Sequence, residues 1–215
     1  MADASGNASD DHQNAMTQRV SRKRACGSFA RWLGKTVNRC AGWQVEGQAP
    51  DDARMLIIAA PHTSNWDFIY LIAAAFSLGL SVHWIGKESL FRGPLGLVLR
   101  FMGGIPIDRS RRNNLVASLA EEINASPGCV LVVPPEGTRG QAPYWKSGFF
   151  RIAQTARIPM VCGFLDYHRK VAGLGPVIPH DIDEESLMAR LSDFYVGIQG
   201  KYPGNFGPVR LKETS

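Results

Sequence analysis

The sequence is sparing in the residues that would mark several common classes of protein. It holds four cysteines, Cys26, Cys40, Cys129 and Cys162, with no paired spacing among them. That argues against a disulfide or zinc framework and predicts reduced thiols in a cytoplasmic setting. The five histidines have no metal-ligand spacing, so no metal site is expected. His83 and His168 each stand alone in strand-like segments and read as structural. No Gly-Xaa-Ser-Xaa-Gly elbow is present, which excludes a serine hydrolase of that type. No phosphate-binding glycine loop follows a strand, which excludes the common nucleotide-binding classes. No cofactor and no nucleic-acid partner are expected. The longest apolar stretch, Phe68–Leu80, falls about seven residues short of the roughly 20 needed to span a bilayer. The N-terminus is polar and acidic and shows no signal-peptide pattern. There is no internal repeat.

What is present suits one α/β domain with a short appendage. The chain has 215 residues, 45% of them apolar and 20% charged, and a net charge of +5. The charge is uneven. Between Met16 and Val45 there are seven basic residues (Arg19, Arg22, Lys23, Arg24, Arg31, Lys35 and Arg39) and no acidic one. Residues 1–15 are rich in Ala, Ser, Asn, Asp and Gly, and disorder is expected there. Residues 16–43 read as a basic amphipathic helical segment. Phe29, Trp32, Leu33, Val37 and Trp43 recur there at roughly helical spacing. Such a helix suits an anionic membrane interface. It equally suits packing on the domain with the basic face solvated.

From residue 44 to 215 the pattern alternates. Strands are expected at Arg54–Ala60, Ser81–Ile85, Ile105–Asp108, Cys129–Val133 and Pro159–Leu165. Helices are expected at Asp67–Leu78, Leu95–Met102, Arg111–Ala125, Gly148–Ala156 and Asp183–Gly200. Gly47–Asp52 reads as a linker or turn, and Tyr202–Val209 as irregular. The expected fold is a single α/β domain with a mixed, largely parallel sheet flanked by helices. The N-terminal basic helix is its appendage.

The chemistry gathers at Met55–Asp67. An apolar run ends at Pro61, a polar loop follows (His62, Thr63, Ser64, Asn65), and a helix begins near Asp67. Loops that leave a core strand for a helix start are where α/β proteins place ligands. His62 and Asp67 are five residues apart and would diverge on one helix. They meet only with His62 in the loop and Asp67 in the first turn. There a carboxylate on one imidazole nitrogen leaves the other as a base. The plain alternative is that Asp67 or Asn65 is a helix cap. Two further strand-end loops, Gly103–Arg109 and Glu136–Arg139, share the same sheet edge in a parallel arrangement. A cleft holding His62, Asp67, Arg109 and Arg139, with Lys87 nearby, suits a substrate with a hydroxyl and a phosphate. Each arginine also has a plain explanation as a surface partner of Asp108 or Glu136.

These residues carry a resemblance. His62-Thr-Ser-Asn-Trp-Asp67 matches the His-X4-Asp motif of glycerolipid acyltransferases of the lysophosphatidate acyltransferase type. Gly103-Gly-Ile-Pro-Ile-Asp-Arg109 looks like that family's second motif, with Pro106 where an aromatic is usual. Pro135-Glu-Gly-Thr-Arg139 is similar to the third, and Ile158-Pro-Met-Val161 to the start of the fourth. The resemblance covers about residues 43–166. It implies an O-acyltransferase that moves a fatty acyl group from acyl-CoA or acyl carrier protein to a lysophospholipid hydroxyl. His62 would be the base and Asp67 its partner. Arg109 and Arg139 would hold the acceptor phosphate, with Glu136, Gly137 and Thr138 shaping that site. Amides at the helix start, or Lys87, would face the oxyanion. The expected setting is cytoplasmic and peripheral, on an anionic membrane surface. Two alternatives stand beside this reading: an acyltransferase for an aminoacyl lipid or glycolipid, and a membrane-binding module without catalysis.

Overall fold

The computed structural model describes residues 26–107 and 115–212. The expected disorder at 1–15, the basic residues before Cys26, and the segment with Asp108, Arg109 and Ser110 lie outside the described residues. Seven strands form one sheet: β1 (Gln44–Glu46), β2 (Arg54–Ala60), β3 (Val82–Lys87), β4 (Gly104–Ile107), β5 (Cys129–Val133), β6 (Met160–Asp166) and β7 (Val171–Ile178). Their order across the sheet is β1-β7-β6-β2-β5-β3-β4. Every neighbouring pair is parallel except β6–β7. The helices are α1 (Ser28–Ala41), α2 (Trp66–Ser77), α3 (Gly93–Phe101), α4 (Leu115–Ala125), α5 (Gly148–Ala156) and α6 (Glu184–Tyr195).

The central strand explains the layering. β2 reads Arg-Met-Leu-Ile-Ile-Ala-Ala and is buried on both faces. Its side chains alternate between two cores, as a strand period of two requires. Leu56, Ile58 and Ala60 join Leu119, Ile123, Phe149 and Leu191 on the side covered by α4, α5 and α6. Met55, Ile57 and Ala59 join Ile72, Ala75 and Leu80 on the α2 side. Burying each such large aliphatic chain stabilises the fold by about 1.5–3 kcal/mol. The Tyr195 hydroxyl, buried at the end of α6, lies 2.9 Å from the Ile58 carbonyl and 3.0 Å from that of Gly163. It ties the last helix to two neighbouring strands.

The elements from β2 to β6 fall close to the expected places. Two strands were not expected. β1 is only three residues long, and β7 (Val-Ala-Gly-Leu-Gly-Pro-Val-Ile) carries two glycines and a proline. The last helix is shorter than Asp183–Gly200. It ends at Tyr195, because Val196 is extended and Gly197 has a positive φ of 81°. The N-terminal helix is present from Ser28, but its packing differs from that of an ordinary amphipathic helix. The buried residues of α1 are Gly34 and Asn38, while Phe29, Trp32 and Leu33 are exposed. At Gly34 a Cβ would lie 2.5 Å from the Ala73 carbonyl oxygen, so the α1 and α2 backbones touch there. The Asn38 amide donates to Ser77 Oγ at 3.0 Å. The helix thus meets the domain through a close backbone approach and leaves its large apolar side chains outside.

Candidate active site

The parallel register brings the C-terminal ends of β2, β5, β3 and β4 to one edge. β6 runs parallel to β2 and ends there too. The loop after β2 begins with a cis Ala60–Pro61 peptide and carries His62. Asp67 sits in the first turn of α2, as the spacing required. His62 Nδ1 lies 3.4 Å from Asp67 Oδ2. The Asp67 side chain is 2% exposed and that of His62 is 23% exposed, so one partner is buried and the other reaches the surface.

The helix-cap alternative is answered by the hydrogen bonds. Asn65 occupies the cap position but makes no side-chain cap bond. Ser64 Oγ accepts from the Trp66 amide instead, at 3.1 Å. Asp67 does different work. Its Oδ2 accepts the amides of Thr63 and Ser64 at 2.7 and 2.8 Å. Its Oδ1 accepts the Tyr167 hydroxyl at 2.7 Å. Burial alone would push this carboxyl up. The bonds from His62, Tyr167, Ser64 and Thr63 outweigh burial and hold it below the ordinary carboxylate value. Asp67 is therefore ionised at neutral pH. With the shared proton on Nδ1 of His62, the other ring nitrogen is left with a free lone pair.

Glu136 joins the pair from 74 residues away. The His62 amide donates to its Oε2 at 2.9 Å. Glu136 is 2% exposed, and its Oε1 has no hydrogen-bond partner among the described residues. Burial pushes this carboxyl up to about 8, against the His62 amide, and the charge on Asp67 pushes it further in the same direction. It is neutral at pH 7. Glu136 thus holds the histidine loop in place and does not pair with Arg139. Arg139 and Thr138 are exposed, and Thr138 Oγ1 accepts the Gly140 amide at 3.3 Å. Gly137 has φ of 67°, and a Cβ there would lie 2.6 Å from Lys146 Nζ. An ammonium group therefore rests over the turn that carries Arg139. Lys87 ends β3 at the same sheet edge, exposed, with no ion pair among the described residues. The amides of Thr63, Ser64 and Trp66 are taken within the loop, so none of these three is free to face an oxyanion. Arg109 lies outside the described residues.

Two side chains at this site were not singled out from sequence. Tyr167 follows β6 and reaches Asp67 only because β6 lies beside β2. Lys146 reaches Gly137 because its amide donates to the Pro135 carbonyl at 2.8 Å. Neither has a sequence neighbour among the motif residues.

An apolar cavity runs from the pair between α2 and the sheet. His62 and Asp67 stand with Ile57, Leu71, Ala75 and Leu78 among its lining residues. A base beside a narrow greasy slot suits a reactant with a polar reacting end and a hydrocarbon tail.

Comparison with known proteins agrees in kind. A family model described as Acyltransferase matches residues 43–163. The chain is similar to the 1-acyl-sn-glycerol-3-phosphate acyltransferase beta of Homo sapiens, with 27% identity over 142 residues. That match covers 62% of this chain and 50% of the human protein, so the chain spans about half the length of the curated relative. Its fold is similar to that of the 1-acyl-sn-glycerophosphate (LPA) acyltransferase PlsC from Thermotoga maritima. The TM-score is 0.59 at 17% identity, covering 89% of this chain and 80% of that one. At that identity the likeness is one of fold. Among the described residues no helix is long and apolar enough to cross a membrane.

Proposed function

The chain belongs to the Acyltransferase family, and from that premise we propose that it moves a fatty acyl group from a thioester, acyl-CoA or acyl carrier protein, to a lysophospholipid hydroxyl of the lysophosphatidate kind. One observation carries the proposal: His62 and Asp67 stand paired in the lining of an apolar cavity, with Asp67 buried and His62 partly exposed. His62 takes the proton from the acceptor hydroxyl as its oxygen attacks the thioester carbonyl. The C–S bond breaks, the thiolate leaves, and the imidazolium returns the proton to it. Asp67 keeps the imidazole in the required tautomer and stabilises the transient positive charge, the part a carboxylate plays in serine-protease triads. The acceptor hydroxyl is itself the nucleophile, so no acyl-enzyme is required. The cavity takes the acyl chain. Arg139 and Lys146 offer positive charge to the acceptor phosphate, and Arg109 is assigned the same part from its motif.

The substrate is a lipid, and α1 supports work at a membrane surface. It exposes Phe29, Trp32 and Leu33 together with Arg31, Lys35 and Arg39. Aromatic and basic side chains exposed on one helix suit an anionic interface.

The test is thiol release from acyl-CoA across a panel of lysolipids, with His62→Ala beside the wild type. The expected outcome is release with lysophosphatidate in the wild type and its loss in the variant, whose thermal unfolding stays unchanged. Retained activity in the variant refutes the mechanism. In the same assay, an acceptor KM unmoved by Arg139→Ala points to an uncharged acceptor such as a glycolipid.

A further inference from the structure

Tyr167 lies beyond residue 163, where the family match ends. We propose that Tyr167 is a positioning residue for the catalytic pair, its hydroxyl pinning one oxygen of Asp67 so that the other faces His62. The proposal rests on reading His62 and Asp67 as that pair. Its test does not depend on turnover.

The geometry around Asp67 sets the argument. Among the described residues Oδ1 accepts from Tyr167 alone, at 2.7 Å. Oδ2 accepts two backbone amides and faces the imidazole at 3.4 Å, the longest of the four contacts. The carboxylate is therefore held by three short bonds that do not involve His62. A carboxylate pinned in this way cannot rotate when the imidazole gains or loses a proton. It also shares its charge with the phenol, because a hydrogen bond to an ionised acceptor is stronger than a neutral one. Less of that charge is left to attract a proton to His62. Tyr167 thus acts on the base through Asp67, and it does so without touching substrate.

The tyrosine is itself held fast. Its amide donates to the Gln199 carbonyl at 2.8 Å. Its ring stands edge-on to Trp43, with centroids 4.9 Å apart, and to Tyr70 at 6.1 Å. The connection that carries it is closed by Asp166 Oδ1, which accepts the amides of His168 and Arg169 at 3.0 and 3.3 Å. The other ionisable groups around the pair are few. Tyr70 comes from α2, Glu136 from the loop after β5, and Tyr202 from the C-terminal segment, where Lys201 lies over the Trp66 ring. The Tyr202 amide donates to Thr63 Oγ1 at 3.3 Å, which steadies the same loop. None of these groups donates a side-chain hydrogen bond to Asp67 among the described residues; beside His62, that part falls to Tyr167.

The experiment is a proton–carbon NMR titration of the His62 imidazole, from about pH 5 to about pH 9. Its signal is assigned by its loss in His62→Gln. Tyr167→Phe removes the hydroxyl and keeps the ring contacts with Trp43 and Tyr70. Tyr70→Phe removes a hydroxyl from the same aromatic cluster without touching Asp67. In Tyr167→Phe the His62 midpoint is expected to move to higher pH by about half a unit, roughly threefold tighter proton binding. In Tyr70→Phe it is expected to coincide with the wild type. A Tyr167→Phe midpoint that stays in place, or moves down, overturns the proposal. So does an equal upward shift in Tyr70→Phe. Thioester consumption gives a second reading: the acidic limb of kcat moves the same way while the acyl-donor KM holds. A wild type that consumes no thioester removes the proposed function, and the titration still decides the part played by Tyr167.

Discussion

Replacing Glu136 by Gln tests the electrostatics of the site in a single change. The carboxyl is buried, one oxygen accepts the His62 amide, and the other has no partner among the described residues. Burial and the nearby Asp67 charge raise it from an ordinary value near 4.5 to about 8. A group raised in the folded state contributes its full stability at acid pH and loses it as pH rises. Below about 4.5 the carboxyl is protonated in both states and costs nothing. Between about 4.5 and about 8 the unfolded chain ionises while the folded one does not, so folding weakens steadily. Each pH unit in that window is worth about 1.4 kcal/mol, and Glu136 alone removes at most about 5 kcal/mol. That is large against a total of roughly 5–15 kcal/mol for a domain. A glutamine oxygen accepts the same amide and stays neutral at every pH, so the variant lacks this loss. Urea unfolding of both proteins across the window reads the difference. The two free energies should converge near pH 5, and the variant should be the more stable by several kcal/mol near pH 8. Glu122 is also raised, to about 7, by burial, but it acts equally in both proteins and cancels. Parallel curves for wild type and variant would refute the reasoning. Because glutamine resembles the neutral carboxyl, acyl transfer at neutral pH should survive the change.

Two further outcomes follow from the packing. Tyr195→Phe should cost about 1–2 kcal/mol, read as a lower urea midpoint at constant slope, because the Ile58 and Gly163 carbonyls lose a buried donor. Ala75→Phe places a ring in the apolar cavity. It should shift the preferred acyl-CoA to shorter chains in a competition among chain lengths, and an unchanged preference would show that the chain lies elsewhere.

The parts of this molecule legible in the sequence are those whose cause is local. β2 and β5 are apolar runs stopped by prolines, so their ends and the loops after them stand out. The pairing of His62 with Asp67 follows from a spacing that only a loop and a first helical turn can reconcile. β7 was hidden because its two glycines and proline look irregular, and what makes it a strand is its pairing with β1 and β6. Tyr167 was hidden for a similar reason: it meets Asp67 across 100 residues through the placing of β6 beside β2. Glu136 was visible as a motif residue, but its direction was not. A carboxylate three residues from an arginine on a loop reads as a surface pair, and the His62 amide, which its Oε2 accepts, explains why it turns inward. α1 was legible as a helix with an aromatic face, but the residues that pack it on the domain were not. Small Gly34 and polar Asn38 face the body because the close approach to α2 admits nothing larger.

That close approach has a mechanical consequence. A helix held by bulky side chains can rock, because such chains change rotamer as it moves. At Gly34 the α1 backbone meets the Ala73 carbonyl and the Phe76 Cβ with no side chain between them. The joint has almost no play. The outward row of Phe29, Trp32 and Leu33 is therefore set at a fixed angle to the cavity beneath α2, like a keel fixed to a hull. Whatever surface that row meets, the opening beside His62 is presented to it at one inclination. A bulkier residue at position 34 would alter that aim and leave the grip of the row unchanged.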